Sequence, residues 1–292
     1  LGVSLKLISV VQFAGMSACV KYLGAGIPTG EVVFMRSLIA VLSLALLARQ
    51  TLGLQLLKTD NWRLHASRAL LGTASMFCLY AALTRIPLAD VTAITFASPL
   101  FITLLAMMFL GERIHAFRWT ALGVGLVGVA IMISPHLHLG SGSTTGTLLA
   151  LGAAVFSAQG MIFIRSMSHG EHAITITFYF MLTAMVCALL TLPLGWVQPT
   201  QPQWWALLLT GVFGAAGQLL MTYSYRYAEA STIAPLDYTS MIIAALLGYL
   251  VFDEVPSWSI WVGAPLVMAS GLIIFWREYQ LQQQRQTSLT IT

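Results

Sequence analysis

Ten apolar runs, each about as long as the roughly 20 residues a helix needs to cross the 30 Å hydrocarbon layer of a bilayer, occupy nearly all of the chain. They cover approximately 5–23, 30–48, 66–84, 89–110, 117–134, 146–165, 173–194, 203–225, 231–252 and 258–276. In hydrocarbon every backbone N–H and C=O must be bonded within the chain, so runs of this kind fold as helices. The fold class is therefore an all-α integral membrane protein. With 8% charged residues against 58% apolar ones, where soluble chains carry about 25% charged, no soluble domain is left to place. The net charge of +4 does not point to nucleic acid, because the basic residues stand singly between runs. With the N-terminus in the cytoplasm, eleven of fourteen Lys and Arg fall inside, among them Lys6 and Arg68, and only Lys21, Arg36 and Arg85 do not. Ten spans return the C-terminus to the cytoplasm, followed by a polar tail over 280–292. A secretory signal at the first run is the alternative to a first span.

One short polar segment is written twice. LGERIHAFRW (110–119) returns 142 residues later as FDEVPSWSIW (252–261), with Glu and Trp in register. At offsets of 142 to 144, Lys21 also falls on Arg165, Ser98 on Ser240, Leu104-Leu105 on Leu246-Leu247, Glu112 on Glu254 and Trp119 on Trp261. The chain divides into two five-helix repeats, 1–138 and 139–279. Five is odd, so the second enters the membrane from the opposite side and the repeats are inverted. Glu112 then lies at the cytoplasmic face and Glu254 at the outer one. Gly111 and Asp253 mark helix ends, and Glu112 can face the positive N-terminal end of the next helix. A gating role for Glu112 and Glu254 is the other reading.

The chain resembles the drug/metabolite transporter superfamily with two EamA-type repeats. The resemblance rests on PTGEVVFMRSLIA (28–40), ALTRIPLADVTAITFASPLFITLLAMMFLGER (82–113), YAEASTIAPLDYTSMIIAALLGYLVFDE (227–254) and WTALGVGLVG (119–128). It covers essentially the whole chain and looks nearest to bacterial amino-acid exporters of the YddG type. It implies an inner-membrane transporter of ten helices around a central cavity, working by alternating access, with both termini cytoplasmic.

Inverted repeats place a substrate near the midplane between the halves, beside interrupted helices. Pro99, in the fourth run, and Pro235, in the ninth, each remove a helical hydrogen bond, freeing the carbonyls of Thr95 and Ser231; both prolines are hinge candidates. Candidate ligand contacts around them are Thr95, Phe96, Pro99, Asp237, Tyr238 and Ser240. In the third run Thr73, Phe77, Tyr80 and Thr84 share one helical face, of which Phe77 and Tyr80 are candidates. In the eighth, Gly211 and Gly214 form a close-packing stripe leading to Gln218 and Tyr223. Gln12 and Gln159 are amides inside the membrane, suited to a ligand or to interhelical bonding. Arg36 and Asp237 are the deep charges, each roughly 9 Å in at 1.5 Å per residue. Arg36 can extend outward along its stem or hold a structural pairing. Asp237 must meet water, a hydroxyl of Tyr238 or Ser240, a substrate amino group or a proton.

These residues favour a secondary transporter of small metabolites, with export of amino acids foremost and multidrug or other metabolite export as the alternative. The partners implied are a small-molecule substrate and the lipid bilayer, with no nucleic acid and no obligate protein partner. A strongly anionic substrate asks for several inward cations, and Arg36 is the only one that sequence position offers. An intramembrane enzyme would need a His base within the bundle, yet the six His fall in loops or at span ends. Receptor and channel readings lack a ligand domain and charged rings respectively. His136-x-His138 and His169 to His172 lack a full ligand set, so no metal is expected. Cys19, Cys78 and Cys187 show no pairing pattern, and without a phosphate-binding glycine loop no cofactor is implied.

Overall fold

The computed structural model describes residues 1–24, 26–51, 53, 59, 61–110, 116–137, 141–167, 173–227 and 234–290. Among them every regular element is helical. The α-helices are α1 (Gly2–Leu23), α2 (Thr29–Thr51), α3 (Trp62–Leu83), α4 (Leu88–Thr95), α5 (Ser98–Leu110), α6 (Ala116–Ile133), α7 (Ser141–Met167), α8 (Ala173–Leu189), α9 (Gln201–Tyr227), α10 (Thr239–Phe252) and α11 (Trp258–Thr290). Among the described residues, six stretches are long and apolar enough to cross a bilayer, in α1, α2, α3, α4–α5, α8 with the segment that follows it to Leu194, and α9, and shorter apolar stretches cover Trp119–Ile133, Leu236–Phe252 and Trp258–Ile273. Burial follows a membrane pattern. Leu46, Leu190, Ile242, Tyr249 and Trp261 face outward, while Ser9, Ser37, Thr73, Thr210, Ser224 and Ser270 are buried; Ser9 and Ser270 bond carbonyls of neighbouring helices, and Thr210 and Ser224 carbonyls of their own.

The fourth and ninth apolar runs are irregular at their prolines. Ahead of Pro99 the helix tightens, with Phe96 N–H donating to Ala93 O (3.2 Å) and Ala97 N–H to Ile94 O (3.0 Å), and α5 restarts at Ser98. Proline has no N–H to continue the ladder, and short 3₁₀-type bonds absorb the break. In the ninth run Pro235 lies in a 3₁₀ turn, Ala234–Tyr238, that feeds α10. Pro265, by contrast, sits within α11 without ending it.

The helices pack in related pairs: α1 on α9 and α3 on α7, α2 on α9 and α3 on α8, α1 on α10 and α5 on α7. α2 also packs on α8, α4 on α10 and α6 on α11. Where α6 meets α11 the backbones touch. A Cβ on Gly128 would stand 2.7 Å from Gly263 O, one on Gly263 2.5 Å from Gly128 O, and Ser270 Oγ donates to Ala121 O across the same seam at 2.5 Å. Only glycine permits that approach, and the buried hydroxyl finds its acceptor on the neighbouring helix.

Candidate functional site

The two breaks face each other. Phe96, at the end of α4, stacks on Tyr238, at the end of the 3₁₀ turn, with ring centroids 5.0 Å apart; in the 142-residue register these two are counterparts. The Tyr238 hydroxyl lies against Gly271 of α11. Thr95 folds its hydroxyl back onto Thr92 O (2.8 Å), and Thr103 Oγ1 donates to Pro99 O (3.1 Å). Ser240 is half-buried in the first turn of α10.

Sequence offers Asp237 hydroxyls, water or a ligand, but the structure gives it Lys6 of α1. Lys6 Nζ lies 2.7 Å from Asp237 Oδ1, with the lysine side chain 1% exposed and the aspartate 46%. Lys6, counted from sequence among the cytoplasmic residues, is thus an enclosed cation. Along the same α1 face, Ser9 Oγ donates to Gly217 O at 3.0 Å, and Gln12 Cβ would stand 3.3 Å from a Cβ on Gly217, so Gln12 belongs to the α1–α9 seam. Gln218 points elsewhere, into a small gap with Ala40, Ser43, Thr177 and Met181 between α2, α8 and α9. Gln159 on α7, Tyr223 on α9 and Phe77 on α3 are half-buried.

Arg36 does not reach outward along its stem. It is 7% exposed, its guanidinium lies 5.7 Å from the Tyr80 ring centroid, Nη1 meets Met76 Sδ, and the side chain runs beside Gly214 of α9. Tyr80 is equally enclosed, its hydroxyl 3.5 Å from Met16 Sδ. Gly211 receives Ile39, so the glycine stripe of α9 does serve close packing. Two further charges turn inward. Arg68, read from sequence as a cytoplasmic residue, stacks on Phe180 of α8 at 4.6 Å, and Asp90, absent from the sequence reading, is fully buried in the first turn of α4, where the helix dipole favours a carboxylate. Arg36 is therefore not the one inward cation that sequence position suggests, and Asp237 is not the one deep acid.

At the other end of α1 stands a second ion pair. Lys21 Nζ lies 2.7 Å from Glu254 Oε1 and also donates to Ile86 O (2.8 Å) and Leu83 O (3.2 Å), where α3 ends. Glu254 Oε2 accepts the first amide of α4, Leu88 N–H, at 3.0 Å. Glu254 thus sits at the positive N-terminal end of α4, not of α11, which follows it in the chain. Asp253, at φ 52°, ends α10 in the left-handed conformation, which brings Glu254 N–H onto Gly248 O at 2.9 Å and turns the side chain inward. Glu112 lies outside the described residues, as does the side chain of Pro235. Two lysines of α1 thus meet two acids flanking α10 in the same order, so α1 and α10 run parallel.

A separate cavity of about 570 Å³ opens between α10 and α11, lined by Tyr238, Met241, Tyr249, Ile260, Trp261 and Pro265. Tyr249 and Trp261 are exposed, so this cavity opens to the lipid side and not to the centre of the bundle.

Comparison with known proteins fits these features. The model of the EamA-like transporter family matches residues 1–134 and again 144–276. A pseudopaline exporter of Pseudomonas aeruginosa is 32% identical over 94% of this chain and 93% of its own length. A riboflavin transporter of Brucella anthropi is 30% identical over 95% and 97%, and an S-adenosylmethionine uptake transporter of Rickettsia felis is 28% identical over 98% and 96%. A solved crystal structure shares the fold at a TM-score of 0.64 with 17% identity, covering 95% of this chain and 98% of that one. With both parts of the chain matched, the protein is a multi-pass membrane protein that belongs to the EamA-like transporter family.

Proposed function

We propose that the chain is a secondary transporter of the inner membrane that moves small metabolites by alternating access, with ten spans arranged as two inverted five-helix repeats, 1–138 and 139–279, and both termini cytoplasmic. The observation that carries this reading is the helix pairing. If α1 corresponds to α7, α2 to α8, α3 to α9, α4–α5 to α10 and α6 to α11, exchanging the halves turns α1–α9 into α7–α3, α2–α9 into α8–α3 and α1–α10 into α7–α5. Three other pairs, α2–α8, α4–α10 and α6–α11, map onto themselves. The Phe96–Tyr238 stack then lies on the symmetry axis. A pseudo-two-fold of this kind allows one packing to open toward either side.

The solute binds between the halves near this stack, where Gln12, Phe77, Tyr80, Thr95, Pro99, Gln159, Tyr223, Asp237 and Ser240 supply hydrogen bonds and aromatic faces. Gln218, turned into its small gap between α2, α8 and α9, stays outside this site, Pro99 and Pro235 act as hinges, and Lys21–Glu254 closes the outer side. Amino-acid export is the leading substrate reading. Other metabolites are the second, favoured by relatives whose names specify pseudopaline export and riboflavin or S-adenosylmethionine uptake. Counterflow decides between them. Purified protein in liposomes loaded with unlabelled amino acids should take up labelled aromatic, aliphatic or hydroxylated members above empty liposomes, with excess competitor abolishing the signal. Exchange of riboflavin or S-adenosylmethionine, without exchange of amino acids, overturns the amino-acid reading, and no exchange of any solute overturns transport.

A further inference from the structure

Arg36 and Arg68 are built alike. Each guanidinium stacks on an aromatic ring, Tyr80 at 5.7 Å and Phe180 at 4.6 Å. Each also keeps buried N–H groups without a hydrogen-bond partner, Nε of Arg36 and both Nε and Nη1 of Arg68. Among the described residues neither forms an ion pair; the two ion pairs there use Lys6 and Lys21. The two sites are related by the repeat. Arg36 runs beside Gly214, while Gly72, the counterpart of Gly214 at 142 residues, is met by Arg68 and by Phe180, which itself falls on Arg36 at 144. Glycine at each place leaves room for a guanidinium plane beside the helix backbone. Arg36 lies near the start of α2 and Arg68 near the start of α3. Successive spans enter from opposite faces, so the two cations stand on either side of the midplane.

A guanidinium stays charged at any working pH and carries five donors in a planar fork. Stacking on a ring occupies its face and leaves Nε of Arg36 and Nε and Nη1 of Arg68 without an acceptor. Thioethers such as Met76 Sδ are weak acceptors and bring no charge, so both cations remain uncompensated in surroundings where an unpaired charge is costly. A single carboxylate matches one guanidinium edge in shape, with two parallel N–H···O bonds, and in charge. A phosphate dianion would leave an excess negative charge at either site. We infer that Arg68 and Arg36 are two successive receiving points for a carboxylate group of the transported solute, Arg68 reached from the inner side and Arg36 from the outer. This rests on the transport reading above and narrows its substrate class to carboxylates.

The probes are phenylalanine and 3-phenylpropionate, which carry the carboxylate, with phenylalaninamide and phenethylamine, which do not. Thermal stabilisation of the purified full-length chain by each is compared for the wild type, Arg36→Gln, Arg36→Lys and Arg68→Gln, with unliganded melting and gel-filtration profiles confirming folding. The two carboxylates should stabilise the wild type and the other two should not. Arg36→Gln and Arg68→Gln should weaken carboxylate binding about tenfold or more through loss of charge-assisted bonds, and Arg36→Lys should retain part of it without the bidentate geometry. Equal stabilisation by acid and amide, carboxylate binding by both Gln variants at wild-type strength, or no stabilisation by either carboxylate overturns the inference. Counterflow of the amide and amine in the same preparations reports on transport separately, so a transporter indifferent to carboxylates remains distinguishable from a protein that transports nothing.

Discussion

The two ion pairs that tie α1 to the ninth span are chemically alike and physically different. At the C-terminal end of α1 both partners are largely enclosed, Lys21 12% and Glu254 21% exposed. The lysine there spends its three N–H groups on a carboxylate and two carbonyls, and the carboxylate also holds the first amide of α4. At the N-terminal end the burial is lopsided, with Lys6 at 1% and Asp237 at 46%. The Lys21–Glu254 pair is a joint among four segments and has little capacity for a further ligand. The Lys6–Asp237 pair leaves half of a carboxylate exposed beside an enclosed lysine. In the proposed function the first is a closing contact and the second a binding contact, although sequence reads both lysines as ordinary basic residues near span ends.

This contrast predicts an order of effects. Asp237→Asn removes the charge that compensates a fully enclosed ammonium, and stability should fall by about 3 kcal/mol, in the range for stranding a buried charge, with transport lost; a melting curve and counterflow read both. Glu254→Gln leaves Lys21 its two carbonyls and its amide oxygen still accepts from Leu88 N–H, so a smaller loss of about 1–2 kcal/mol is expected, with transport falling further than stability because the outer closure is weakened. Lys6→Met should cost least, about 1 kcal/mol or less, since the remaining aspartate is half solvated and an apolar isostere fills the lysine's place. If Lys6→Met proves as damaging as Asp237→Asn, the asymmetry of the Lys6–Asp237 pair is not what governs it.

Much of the architecture was legible because it rests on local rules. Apolar run length marks the helices, Pro99 forces the break at Phe96–Ala97, and Asp253 ends α10 ahead of Glu254. The 142-residue echo also brings Phe96 and Tyr238 into register, which their stacking matches. What sequence does not show is the direction a charged side chain takes around its helix. Lys6 and Arg68 lie one to two turns inside their helices, where a long stem can serve the headgroups or turn into the bundle, and run length cannot choose. Their partners, Asp237 for Lys6 and Phe180 for Arg68, are distant in the chain, so only assembly of the helices brings them together. Lys21 and Glu254 could have been suspected, because the repeat duplicates a basic residue and an acid at the matching places.

The central claim is that the two halves open the outer side by parting α1 from the end of α10. Tyr22 and Val255 are exposed beside the Lys21–Glu254 pair, which makes them suitable for spin labels in a chain with Cys19, Cys78 and Cys187 replaced. Double electron–electron resonance between the two labels in lipid nanodiscs, with and without the solute identified by counterflow, measures this opening. The account predicts two distance populations whose ratio shifts with solute and moves toward the longer distance in Glu254→Gln. A single distance, unchanged by solute and by that substitution, would contradict it.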